Sequence, residues 1–136
     1  MAVHRRTDVS RRPQSWNAVR SARDACSGLL WVVSRTPTLK IGIAAGVVVV
    51  GLGLALQLAL VQVAVLVLTA SSLLAVETLN TGVEMLCDHV TPRPDPVVGK
   101  IKDVAAAATA FCEIGGLIVV LLVLGPAIFR WLTHQP

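Results

Sequence analysis

From Ile41 to Val76 the chain runs thirty-six residues without an Asp, Glu, Lys or Arg. Uncharged apolar stretches beyond ~18 residues read as membrane-spanning. As a single helix this one would be ~54 Å long, against a hydrocarbon core of ~30 Å. Two helices joined by a turn fit better, and Gly51, Gly53 and Gln57 supply the turn material, placing the bend near residues 55–59. With 54% hydrophobic and only 15% charged residues in 136, the chain is expected to be a small integral membrane protein with no separate soluble domain.

The charges set the expected orientation, because basic residues mark the cytoplasmic side of a membrane. Arg5, Arg6, Arg11, Arg12, Arg20, Arg23, Arg35 and Lys40 precede the uncharged run, against Asp8 and Asp24. The polar segment 88–103 carries Arg93, Lys100 and Lys102. If both segments are cytoplasmic, the run between them crosses an even number of times, and a third span carries the C-terminus outside. Arg130 and His134 count mildly against this. The N-terminus lacks the apolar core of a signal peptide. Cys26, Cys87 and Cys112 match no metal or disulfide framework and read as small semi-apolar fillers.

Upstream of the run, Trp16, Val19, Cys26, Leu30 and Val33 recur at helical spacing, with Asn17, Arg20, Ser21, Asp24 and Ser27 elsewhere. This pattern predicts an amphipathic helix lying in the headgroup layer or against a protein partner. Pro37 ends it. The expected organisation is all-α: a basic N-terminus over 1–14 and one membrane domain over 15–132. Its parts are a surface helix at 15–35, spans at about 39–56, 59–86 and 102–131, and a loop at 88–101. Pro92, Pro94 and Pro96 make that loop extended and stiff.

The uncharged run ends in "VETLNTGVEMLCD", residues 76–88. Glu77, Asn80, Glu84 and Asp88 fall three and four apart, on one helix face. Glu77 and Glu84 are ~10 Å apart along the axis, too far to share a proton, so they do separate jobs. Acids near hydrocarbon cost about 2.5 to 3.5 kcal/mol each at the bilayer centre and less toward its edge. Lys102 and Asp103 open the third span from the same side. Carboxylates beside a lysine, without a Cys or His group, suit Mg²⁺ with substrate phosphates. A carboxylate closer to hydrocarbon suits a general base for an alcohol that cannot leave the lipid. The set therefore points to phosphoryl transfer from a nucleotide to a lipid hydroxyl, although neither a Walker loop nor a kinase glycine loop is present. The plainer alternative is a polar seam that joins helices.

"ETLNTGVEMLCD" resembles the signature of the small prokaryotic diacylglycerol kinase and undecaprenol kinase family, Glu-x-Leu-Asn-(Ser/Thr)-Ala-Ile-Glu-x-x-x-Asp. Lys102-Asp103 followed by "VAAAATA", and the unchanged gap from Asp88 to Lys102, extend the likeness; Ala25, Gly28 and "TPTLKI" carry it upstream, so that it covers roughly 15–132. The resemblance implies a homotrimer in a bacterial inner membrane, N-terminus cytoplasmic. Its sites lie between neighbouring chains and pass phosphate from MgATP to diacylglycerol or undecaprenol, a step in phospholipid metabolism. It implies Glu77 as the catalytic base, Glu84 as the ligand of the nucleotide-bound Mg²⁺, and Asn80, Asp88, Lys102 and Asp103 beside the nucleotide. Lys102 would offset charge on the transferred group. No nucleic-acid partner is expected.

Two departures stand out. Thr36 occupies the place where many members carry a second metal-binding Glu, and Gly42 stands where a polar residue is usual. Glu113, ten residues past Asp103, falls near mid-membrane. It is expected either to be protonated and bonded to Ser71, Ser72 or Thr78, or to shape specificity for a polar part of the lipid. Ala105–Ala108 are expected to serve close helix packing. The lipid kinase stands beside two other readings: a weak or inactive relative acting in membrane assembly or regulation, and an ion or proton pathway through Glu77 and Glu113.

Overall fold

The structure, a computed structural model, describes residues 17–91 and 93–133. The elements are all helical: α1 (Ala18–Arg35), α2 (Pro37–Ala55), α3 (Leu60–Val90) and α4 (Pro96–Thr133). The last three are long and apolar enough to cross a membrane. The basic segment 1–14 and Trp16 of the expected surface helix lie outside the described residues.

The chain divides into two units, Met1–Trp31 and Val32–Pro136. In the first, Asn17 begins α1 by accepting the Val19 N–H on its side-chain oxygen at 3.1 Å. Every described residue of this unit is exposed. In the second unit, α1 stops at Thr36, which takes an extended conformation (φ −107°, ψ 105°) because a residue before proline avoids the helical region. Pro37 then opens α2, where its missing N–H costs nothing.

The long uncharged run folds as a hairpin that turns at residues 56–59. Gln57, at φ 53°, is the turn's left-handed residue. Its N–H bonds Leu54 O at 3.0 Å while the Leu58 N–H bonds Gly53 O at 3.0 Å, the paired closure that usually uses glycine. The Gln62 side chain then accepts the Ala59 N–H at 3.1 Å and starts α3.

α3 is the central helix. It packs on α2 and α4, which touch each other little. Glycines set the α2–α3 approach. A Cβ on Gly42 would stand 3.2 Å from Leu74, one on Gly46 3.2 Å from Ala70, and one on Gly53 3.0 Å from Leu66. The partner number falls as the glycine number rises, so the two helices are antiparallel. Gly116 does the same for α4, 2.9 Å from Leu73 and 3.3 Å from Thr69. Such small residues allow the close backbone approach that holds helices together in a bilayer. Leu39 and Leu66 are fully buried, whereas Phe111, Leu122 and many other apolar side chains face outward, as lipid-facing surfaces do.

The link between α3 and α4 is shorter than the loop expected at 88–101. Helix continues through Val90 and resumes at Pro96, leaving residues 91–95. Helix begins inside the proline-rich segment for two reasons. Pro96 is tolerated in a first helical turn, and Asp95 caps α4 by accepting the Val97 and Val98 N–H groups on Oδ1 at 2.7 and 3.3 Å.

Candidate active site

The acidic side chains of α3 fall at three levels along one face. At the loop end, the Lys102 ammonium donates to Asp88 Oδ1 at 2.5 Å, joining α4 to α3. Lys100 pairs with Asp103 one turn along its own helix at 3.3 Å. That exposed pair is worth little, ~0.2–1 kcal/mol. A hollow of about 570 Å³ opens here, lined by Asp88, Thr91, Arg93, Asp95 and Lys102 among others. Lys102 spends one of its three ammonium protons on Asp88, so two remain for an anion.

One turn or more deeper, Asn80 Nδ2 donates to Glu84 Oε1 at 3.3 Å. Only the amide nitrogen can donate to a carboxylate, so this bond fixes which way the amide points. Asn80 Oδ1 is left buried without a partner. A buried acceptor in that condition is costly, and a bound donor would relieve it.

Deepest lies Glu77. Thr38, in the first turn of α2, donates its hydroxyl proton to Glu77 Oε1 at 2.6 Å. Sequence reasoning missed Thr38: thirty-nine residues separate the pair, and no motif connects them. The signal available was the hairpin itself, which folds the start of α2 back against the far half of α3. Thr78 and Thr81 do not compete for the carboxylate, because their hydroxyls bond Leu74 O and Glu77 O on their own helix.

Glu113 stands at the level of Glu77. Gly116 meets Leu73; Glu77 lies four residues past Leu73, and Glu113 three before Gly116, both toward the loop end. Counted from the other end, eleven residues separate Glu77 from Asp88, and eleven separate Lys102 from Glu113. Each interval is ~16 Å of helix. Glu113, expected near mid-membrane, thus lies level with Glu77: pairing of Asp88 with Lys102 puts both acids at one distance from the loop. Ser71 and Thr78, two of the hydroxyls expected to hold Glu113, donate to Val67 O and Leu74 O on their own helix and do not line the groove that Glu113 lines. Instead Glu113, Glu77 and Thr38 line one groove of about 340 Å³, otherwise walled by Gly, Ala, Leu and Val with Thr69.

Within one chain the site residues are therefore strung along α3 rather than gathered. Lys102 reaches Asp88, and Glu84 reaches Asn80, while Glu77 sits ~16 Å from the Asp88 level. Among the described residues no three His, Cys, Asp or Glu converge as a metal cage. Thr36 adds no carboxylate. Glu84 is exposed and uses one oxygen on Asn80, leaving its other oxygen free. That donor set fits Mg²⁺ of the kind that arrives with nucleotide phosphates and takes one carboxylate from the protein.

No curated protein matches the chain. The family profile described as prokaryotic diacylglycerol kinase matches residues 23–124, which takes in α2, α3, the loop and the first three-quarters of α4. That span holds all three polar levels, and by it the chain belongs to the prokaryotic diacylglycerol kinase family.

Proposed function

We propose that this protein transfers the γ-phosphoryl group of ATP to the hydroxyl of a membrane lipid alcohol, of the diacylglycerol or undecaprenol type. The observation that carries the reading is Glu77. It is held by Thr38 at the wall of an apolar groove, on the same helix face as Asn80 and Glu84. A lipid tail suits such a groove, and the carboxylate is where its hydroxyl would need a base.

In this reading Glu77 accepts the hydroxyl proton, the lipid oxygen bonds the γ-phosphorus, and ADP leaves with the electrons of the broken bond. Thr38 keeps one carboxylate oxygen occupied, so the other faces the substrate. Glu84 would hold Mg²⁺, which when bound neutralises charge on the nucleotide phosphates. Asn80 Oδ1 would take a donor from the nucleotide. Lys102, with Arg93 across the hollow, would meet anionic phosphate, and Asp88 and Asp103 would hold the two lysines in place. The residues' spread along α3 suits a nucleotide laid lengthwise on that helix, with neighbouring copies in a homotrimer completing the site. The 91–95 loop and the N-terminus would then face the cytoplasm of a bacterial inner membrane, with α1 in the headgroup layer.

A screen of lipid alcohols in liposomes with γ-labelled ATP and Mg²⁺ tests this. Label in the lipid phase supports it, and no label on any lipid alcohol contradicts it. Thr36, which removes a carboxylate from the expected metal set, favours a second reading in which the protein binds nucleotide without turning it over. Calorimetric titration with MgATP, run beside the screen, separates the two.

A further inference from the structure

The groove beside Glu77 has an unusual polar inventory. Its charged groups are two carboxylates, Glu77 and Glu113, brought to one level by the antiparallel pairing of α3 and α4. Its two hydroxyls are already committed as donors, Thr38 to Glu77 Oε1 and Thr69 to Val65 O. The remaining lining is apolar or glycine. With both carboxylates ionised, every free polar position facing this space is therefore an acceptor. Among the described residues, no Lys, Arg or His lines the groove to neutralise the acids. Within one chain, an occupant must bring the donors itself.

This condition selects among lipid alcohols. A prenol or a diacylglycerol offers one hydroxyl, which Glu77 would use. Its remaining polar atoms, where it has any, are ester oxygens that accept and so gain nothing beside Glu113. A lipid with a second donor next to the reacting hydroxyl satisfies both carboxylates at once. The volume of about 340 Å³ suits a small headgroup with its first methylenes. Glu113 and Leu117 on the wall are exposed, so tails can run out into the bilayer.

We infer that Glu113 is a specificity-determining residue that binds a second hydrogen-bond donor of the lipid substrate, so that the preferred substrate is a 1,2-diol or a 2-amino alcohol on a long chain. The inference rests on the lipid-kinase reading for the catalytic step and not for binding. Glu77 takes the hydroxyl that is to be phosphorylated, and Glu113 takes its neighbour. An amine in that place would also neutralise one of the two carboxylates. The family resemblance assigns nothing to Glu113.

Binding is measured first, without nucleotide, by native mass spectrometry of the full chain in detergent. The probes are long-chain lipids: a monoacylglycerol, a 2-amino-1,3-diol, a diacylglycerol and a prenol. The wild type is expected to prefer the first two by tenfold or more. Glu113→Leu should remove that preference while leaving diacylglycerol binding within threefold, and Glu113→Gln should keep diol binding but lose the advantage of the amine. Diol favoured over amine in the wild type, or the reverse, identifies which donor the site takes. Equal binding of all four lipids, no binding of any, or an equal loss for all four in both variants would overturn the inference. Turnover is then measured on the same lipids. Selective binding without label transfer overturns the kinase reading and leaves Glu113's role standing. Label transfer to all four at equal kcat/KM does the opposite.

Discussion

The two ends of the polar face solve the problem of acidic side chains in opposite ways. At the loop end the acids have partners: Asp88 has Lys102, Asp103 has Lys100, and Asp95 caps α4. Asp88, Lys100 and Asp103 are exposed and Lys102 is half-buried, so water does much of the work of stabilising these groups. At the Glu77 level the described residues include two acids, a hydroxyl donor to Glu77 and no cation lining the shared groove. Charge there is expensive to keep. An acid with a ready partner serves to hold its neighbour in position, whereas an acid left short of donors is the one set to receive a ligand or a proton. On the proposed function, the contrast would put chemistry at the deep level and nucleotide positioning at the loop level.

Substitutions at the two levels should therefore fail differently. The largest effect is expected at Glu77. Glu77→Gln keeps the shape and removes the base, and kcat in a labelled-ATP assay should fall by ~10²–10⁴ while MgATP binding is retained. If the variant turned over normally, the deep level would lose its chemical assignment. Next is Glu84→Gln, where the Mg²⁺ concentration for half-maximal activity should rise at least ~10-fold, read from a metal titration at fixed ATP. Lys102→Met should weaken nucleotide binding by about tenfold in calorimetry, since it removes donors to phosphate, with kcat at saturating ATP changed less. Asp88→Asn should cost less than Lys102→Met in the same titration. The reverse order would mean that the pair is a structural clasp with no nucleotide role. The smallest effect is at Thr38. Thr38→Val should lower kcat ~3–10-fold with KM for ATP unchanged, and Thr38→Ser should restore it, because the hydroxyl positions Glu77 without touching nucleotide.

Much of this architecture was legible in the residues. Thirty-six uncharged positions cannot form one spanning helix, and the bend needed a residue able to turn; Gln57 takes that role while Gly51 and Gly53 stay helical. The stripe from Glu77 to Asp88 was visible because a helix repeats every three or four residues. What stayed hidden were relations between helices. Whether Glu113 lies deeper than Glu77 depends on how α3 and α4 are offset, and the length of the link decides that. Reading three prolines as an extended segment over 88–101 left the offset open. The cap by Asp95, which shortens the link to five residues, fixes Asp88 opposite Lys102 and thereby sets Glu113 beside Glu77. The bond from Thr38 depends likewise on the hairpin register, which is set by glycine contacts; the four-residue spacing of Gly42 and Gly46 marks a packing face but not the residues it meets.

The account places the loop level on the side of the membrane that holds ATP, with the deep level reached from there along α3. Val97, exposed in the first turn of α4, reports on this directly. In a chain whose Cys26, Cys87 and Cys112 are replaced, Val97→Cys should react with a membrane-impermeant maleimide in inside-out vesicles and stay unlabelled in intact cells. Labelling from outside the intact cell would separate the polar face from its nucleotide and contradict the account.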